Sequence, residues 1–160
     1  MSEGQLATTL ELELADLAAT HAFAARLGRL LRKGDLVGLS GDLGAGKSEL
    51  ARAAIRALAG AEIEVPSPTF TLLQLYDLPG LLVGHADLYR LGDPDEVVTL
   101  GLDEVLRDGA LLVEWPEHGG DRLPGEKLLL ALAETDRPNG RRLTITAGPG
   151  WADRLAELAA

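Results

Sequence analysis

Residues 9–14, TLELEL, alternate apolar and acidic positions, the period of a strand with one buried face. Asp16 is a helix cap, and Phe23, Leu27, Leu30 and Leu31 recur at helical spacing, which predicts a helix from Leu17 to about Leu31. Between Gly34 and Gly41, residues 35–40 (DLVGLS) read as a short buried strand. Residues 50–58 (LARAAIRAL) return to helical spacing, and Gly60 can stop that helix. Ile63 to Val65 is a short strand candidate, followed by the stiff Pro66-Ser67-Pro68. The stretch 69–76 alternates, 81–88 is the next strand, and Leu78-Pro79-Gly80 between them predicts an antiparallel hairpin. Asp93-Pro94-Asp95-Glu96 is a helix start: a cap, proline in the first turn, then acids on the helix dipole. Residues 110–115 are nearly all apolar, with one acid close to the end. A second hairpin joins 126–132 to 142–146 around Pro138-Asn139-Gly140, and a short amphipathic helix over 151–158 follows.

A glycine-rich loop stands where the buried strand 35–40 meets the following helix. Gly41, Gly46, Lys47 and Ser48 fill the pattern G-x-x-x-x-G-K-[ST], with Gly44 inside it. Glycines let successive backbone N–H groups converge on phosphate oxygens, and the helix adds the positive end of its dipole. Lys47 is placed for the β- and γ-phosphates, and the Ser48 hydroxyl for Mg²⁺. Strand, loop and helix come in the order that such a loop requires. With the two hairpins, this predicts an α/β chain: a three-layer P-loop NTPase-like fold with a mixed parallel/antiparallel sheet, residues 1–160 forming a single domain.

Composition narrows the partners. The chain has 160 residues, 46% of them hydrophobic, and no cysteine, so neither a disulfide scaffold nor thiolate chemistry is available. No apolar run is long enough to cross a membrane, the N-terminus lacks a signal layout, and a cytoplasmic location is the expectation. A net charge of −10 repels nucleic acid on average, so direct RNA or DNA binding by this chain alone is not expected. Nucleotide binding survives that charge, because loop amides and Mg²⁺ supply local positive potential.

Phosphoryl chemistry needs an acid near Mg²⁺, usually closing a buried strand beside the loop strand. Glu114, ending the apolar run ALLV, has that form. His85 and Asp87 lie two apart and hence on one strand face. Asp87 can orient water or hold a ligand of Mg²⁺, and His85 can hydrogen-bond near the phosphate; equally, the two form a surface pair. Thr69 and Thr71 follow the rigid Pro66–Pro68 stretch, either as switch hydroxyls for γ-phosphate or as edge-strand threonines. Arg141, after a tight turn, is a nucleotide contact or a solvated cation.

Four motifs occur in order: residues 41–48 (GDLGAGKS), 67–72 (SPTFTL), 85–91 (HADLYRL) and 113–117 (VEWPE). Together they closely resemble the TsaE (YjeE) family, small bacterial ATPases of tRNA threonylcarbamoyladenosine biosynthesis, over about residues 9–147. The resemblance implies ATP and Mg²⁺ as cofactors, and an accessory role beside a TsaB–TsaD complex in which TsaD performs the transfer. It carries the phosphate grip to Gly44, Ala45, Gly46, Lys47, Ser48 and Glu49, the Mg²⁺ ligands to Ser48 and Glu114, and the acid of the H-x-D segment to Asp87. Lys47, Asp87 and Glu114 are then the catalytic set. Glu49 departs from the pattern: the family usually has a hydroxyl residue there, and only its backbone N–H remains as a donor. A small-molecule kinase and a non-catalytic nucleotide-binding module are the competing readings. A guanine-reading Asn-Lys-x-Asp motif is absent, which argues against a GTP switch.

Overall fold

The computed structural model describes residues 8–66 and 72–160. Seven strands form one sheet: β1 (Thr8–Leu14), β2 (Asp35–Ser40), β3 (Leu73–Leu78), β4 (Leu81–Asp87), β5 (Gly109–Glu114), β6 (Glu126–Glu134) and β7 (Arg141–Ala147). Their spatial order is β1-β7-β6-β2-β5-β4-β3. The inner pairs β6·β2, β2·β5 and β5·β4 are parallel, while β1·β7, β6·β7 and β3·β4 are antiparallel. The mixed sheet and both hairpins expected from the sequence are therefore present.

Burial follows position in the sheet. Every residue of β5 is buried, as a parallel strand covered on both faces requires. On β2, Leu36 enters one apolar cluster while Val37 and Leu39 enter the other, the alternation that a pleated strand imposes. The larger cluster lies under α1 (Leu17–Leu30) and α2 (Lys47–Ala59) and includes Phe23, Leu27, Leu50 and Ile55. The smaller one gathers Val97 of α3 (Glu96–Leu100), Leu102 and Val105 of α4 (Leu102–Asp108), and Leu111 and Val113 of β5. Asp16 caps α1 by accepting the Ala19 N–H at 2.9 Å, and Gly60 ends α2 in the left-handed region.

Three local expectations change. Residues 63–65 form no strand; the Ile63 carbonyl instead accepts the Arg56 Nε–H, and Val65 tucks into the core. The helix expected from Asp93 begins at Glu96, because Asp93 builds a turn by accepting the Asp95 N–H while Glu96 accepts the N–H groups of Gly92 and Asp93. Strand β5 ends at Glu114, as expected of the acid that closes the apolar run, and Trp115 leaves it at φ 58°. Over 151–158 only α5 (Leu155–Leu158) is helical; its amphipathic spacing is real, but Pro149 and Gly150 start the segment as a 3₁₀ turn.

That last segment is tied to the loop strand by charge. The Arg154 guanidinium donates to both Asp35 carboxylate oxygens at 2.6 and 3.1 Å, and to the Leu30 and Gly150 carbonyls. It also lies 3.7 Å from the centre of the buried Trp151 ring. Asp35 opens β2, so the pair anchors the end of the strand opposite the glycine loop. Removing one member of a buried pair strands the other in a low dielectric. Arg154→Ala should cost about 3–5 kcal/mol, read as a lower urea midpoint with unchanged slope. A loss under about 1 kcal/mol would show that solvent reaches Asp35 freely.

Candidate functional site

The loop after β2 is shaped by glycines in left-handed backbone conformations that other residues rarely adopt. Gly41 has φ 140°, and a Cβ there would stand 2.5 Å from the Leu132 carbonyl oxygen. Gly46 has φ 106° and immediately precedes α2. Its absent side chain leaves room for the Arg141 guanidinium, whose Nε would lie 3.2 Å from a Cβ. Arg141 donates to the carbonyls of Ala45 at 2.6 Å, Gly140 at 2.8 Å and Gly44 at 3.4 Å. The arginine is thus packed on the loop and not merely solvated.

Lys47, the first residue of α2, is only 5% exposed. Its ammonium donates to the Gly41 and Asp42 carbonyls and sits 4.1 Å from the Trp115 ring centre. Burial lowers its pKa against the upward pull of Glu114, Glu117, Asp87 and Asp42. Beside it, Ser48 Oγ donates to Glu114 Oε1 at 2.8 Å. The other carboxylate oxygen of Glu114 meets His85 Nε2 at 2.7 Å. Burial would push the Glu114 carboxyl up; the hydrogen bonds from His85 and Ser48 and the charge of Lys47 outweigh it and hold the group below the usual carboxylate range. Asp87 is directly opposite Glu114 on the neighbouring strand. Burial raises its pKa, the Tyr89 N–H it accepts lowers it, and the Glu114 charge raises it further.

The sequence reading therefore brings Gly41, Gly44, Ala45, Gly46, Lys47, Ser48, Asp87, Glu114 and Arg141 to one end of the sheet. Glu49 reaches the same cleft, but its carboxylate turns to His21 of α1 at 2.6 Å and to Arg52 at 3.7 Å. The His21 hydrogen bond keeps Glu49 below its ordinary pKa. Thr69 and Thr71 lie outside the described residues. The surface-pair reading of His85 and Asp87 is corrected for His85, which is fully buried. A cleft of about 420 Å³ runs along the loop, walled also by Leu17, Arg52, Tyr89 and Asn139. Sequence reasoning missed these four as cleft walls, and it missed that Trp115, which follows the acid in the VEWPE motif, clusters with the rings of Tyr89 and His118, at centre distances of 4.9 to 6.3 Å. Aromatic residues beside the acid motif were the available signal for the cluster; Leu17 gave none. A cleft of about 490 Å³ between α1 and α2 shares Glu49 but has no glycine loop among its walls.

The family model described as Threonylcarbamoyl adenosine biosynthesis protein TsaE matches residues 14–143. The chain belongs to the TsaE family. The tRNA threonylcarbamoyladenosine biosynthesis protein TsaE of Streptomyces coelicolor is 42% identical over 139 residues, covering 79% of this chain and 90% of that one. Its Bacillus subtilis namesake is 36% identical, covering 86% and 85%. A crystal structure of Bacillus subtilis YdiB matches with a TM-score of 0.77 and 29% identity, over 95% of this chain and 94% of that one. The TsaE match spans the glycine loop, His85, Asp87, Glu114 and Arg141.

The donors fit a hard cation with few protein ligands. Among the described residues no group of three or more His, Cys, Asp or Glu side chains is arranged to hold a metal. Ser48 and Glu114 instead offer one hydroxyl and one carboxylate oxygen 2.8 Å apart. Mg²⁺ keeps several waters and takes phosphate oxygens, so it suits such a pair.

Asp87 is held at a cost to the fold. Its raised folded-state pKa means that ionisation opposes folding. That penalty is absent below the unfolded pKa, grows as pH rises, and is complete above the folded pKa. Asp87→Asn keeps an acceptor for Tyr89 and should raise the melting temperature by a few degrees at pH 7, with the gain fading in acid. A thermal melt series from acid to neutral pH checks this; a loss at pH 7 would contradict it.

Proposed function

We propose that this chain is the Mg²⁺-dependent, ATP-binding and ATP-hydrolysing accessory subunit of the machinery that makes tRNA threonylcarbamoyladenosine. It works in the cytoplasm and couples its ATP state to a TsaB–TsaD-type partner complex, meeting tRNA only through that complex. The observation that carries the reading is the convergence of Lys47, Ser48 and Glu114 on one glycine loop, with Ser48 Oγ 2.8 Å from Glu114 Oε1. TsaE membership supports the pathway, and the relatives named above carry it in their names. The charge of −10 supports a protein partner over direct tRNA binding.

Each residue has a physical task in this reading. The amides of residues 44–49 converge on the phosphates, and Lys47 can exchange its bonds to the Gly41 and Asp42 carbonyls for phosphate oxygens. Arg141, bound to carbonyls of the same loop, adds a second cation to the cleft. Ser48 and Glu114 would hold Mg²⁺, which neutralises charge that develops on the phosphates during transfer. Asp87, directly opposite Glu114 on the neighbouring strand, orients the attacking water.

Glu114→Gln keeps the shape and removes the charge. Nucleotide binding should stay within about tenfold, while turnover should fall by more than about 100-fold. Equal losses in both would reassign Glu114 to folding or ground-state binding. The decisive test of the whole reading is ATP hydrolysis with and without the candidate partner proteins. It is joined by partner affinity measured without nucleotide, with ADP and with a non-hydrolysable ATP analogue. Hydrolysis should rise with partners, and ATP and partner should alter each other's affinity by one common factor. Partner affinity indifferent to nucleotide, together with a tight tRNA gel shift by the lone chain, would overturn the account.

A further inference from the structure

We infer that His85 is a positioning residue: its Nε2–H holds one oxygen of Glu114 so that the other faces Ser48. The inference rests on the reading of Ser48 and Glu114 as the Mg²⁺ ligands. It goes beyond that reading because it assigns a task to a side chain that touches neither nucleotide phosphate nor metal.

The burial of His85 demands an explanation. The residue is 0% exposed, in the middle of β4, paired with Gln74 on one side and Leu112 on the other. A leucine would fill comparable space in this sheet interior without a polar group to desolvate. The imidazole makes one hydrogen bond, Nε2 to Glu114 Oε2 at 2.7 Å, and its Nδ1 has no partner among the described residues. The polar half of this side chain is therefore directed at a single carboxylate oxygen.

Glu114 needs such a tether. A glutamate has one more rotatable bond than the aspartate usual at this place, so an unrestrained carboxylate would sweep a wider arc. Two donors fix it here, one on each oxygen: His85 on Oε2 and Ser48 on Oε1. Only the Ser48 bond joins the two proposed ligands to each other, so it must yield when they take up a cation. The His85 bond lies on the far oxygen and can persist. It is the link that keeps the carboxylate aimed in both conditions, as the outer partners of metal ligands do elsewhere.

The geometry also specifies which part of His85 matters. A donor on Nε2 is enough; a second proton on Nδ1 would be a buried N–H without an acceptor. A glutamine side chain places an amide nitrogen at the same number of bonds from Cβ as Nε2, whereas an asparagine nitrogen stops at the place of Nδ1. Glutamine should therefore substitute for His85, while asparagine and leucine should not.

The experiment uses Mn²⁺ as a spin-active stand-in for Mg²⁺, titrated in the presence of ADP and followed by electron paramagnetic resonance. His85→Leu and His85→Asn should weaken Mn²⁺ by about 10- to 100-fold. His85→Gln should remain within about threefold, and metal-free ADP affinity should hold within about threefold in all three variants. In a Glu114→Gln background His85→Leu should add no further loss, since the two act through one bond. Should His85→Leu fail to fold, the asparagine–glutamine contrast carries the test alone. Wild-type Mn²⁺ affinity in the leucine and asparagine variants would overturn the inference and leave the ATPase reading standing. So would a glutamine variant as weak as the leucine one, or an undiminished leucine effect without the Glu114 charge. A wild-type chain that takes up no Mn²⁺ would bring down the ATPase reading, and this inference with it.

Discussion

The parallel pairing of β2 with β5 is the constraint on which the site depends. It sets Leu39 opposite Glu114, one residue before the strand gives way to the glycine loop. A carboxylate at the end of β5 is thereby delivered to the first turn of α2, where Ser48 waits. Strand side chains alternate between faces, so a one-residue slip would turn Glu114 to the other side of the sheet and abolish the Ser48 contact. The register is protected by burial: every residue of β5 is covered, and four of the six positions of β2 carry leucine, valine or aspartate committed to the interior. Hydrophobic commitment thus fixes the position of a polar group that the core could not choose by itself.

The second consequence is electrostatic. Four acids, Asp42, Asp87, Glu114 and Glu117, act on one buried ammonium, Lys47, which is bonded to carbonyls and an indole face. Arg141 likewise spends its donors on the loop's own carbonyls. Lys47 and Arg141 are thus held by neutral groups, which an incoming anion could displace without breaking an ion pair. The acids remain in excess, and Asp87 and Glu114, side by side on β4 and β5, repel one another. The Mg²⁺ of the proposed function would relieve that repulsion. The same excess, spread over a chain of charge −10, fits the proposed function, in which the cleft would take a nucleotide carrying its own Mg²⁺ while the surface disfavours a polyanion.

Much of this was legible because it is periodic or rigidly spaced. The alternation in residues 9–14, the helical spacing of 17–31 and the glycine-loop pattern all report local backbone geometry, and each became the element expected. The acid closing β5 was also visible, since an ionisable group at the end of an apolar run needs a partner. Illegible were contacts between distant segments. Spacing put His85 and Asp87 on one face but could not say that the sheet would cover His85 and half-expose Asp87, because that depends on β3 and β5 flanking β4. The short helices failed for a different reason: α3 and α5 span five and four residues, lengths at which one proline or one aspartate turn outweighs propensity.

Glu49 illustrates how a local departure from a motif is absorbed by its surroundings. An acid in the first turn of α2 is favoured by the helix dipole, yet the same position borders the amides that the proposed function assigns to phosphate, where a free carboxylate would repel such a ligand. The fold resolves the conflict by drawing the carboxylate sideways. His21 takes one oxygen at 2.6 Å and Arg52 approaches the other at 3.7 Å. The charge thus stays near the helix N-terminus and is shared with two donors, while the Glu49 amide still belongs to the loop. The arrangement also ties α1 to α2 beside the site through a link that a hydroxyl residue is too short to make. In place of the hydroxyl usual in the family, the chain carries a side-chain contact between the two helices on either side of the loop strand in sequence.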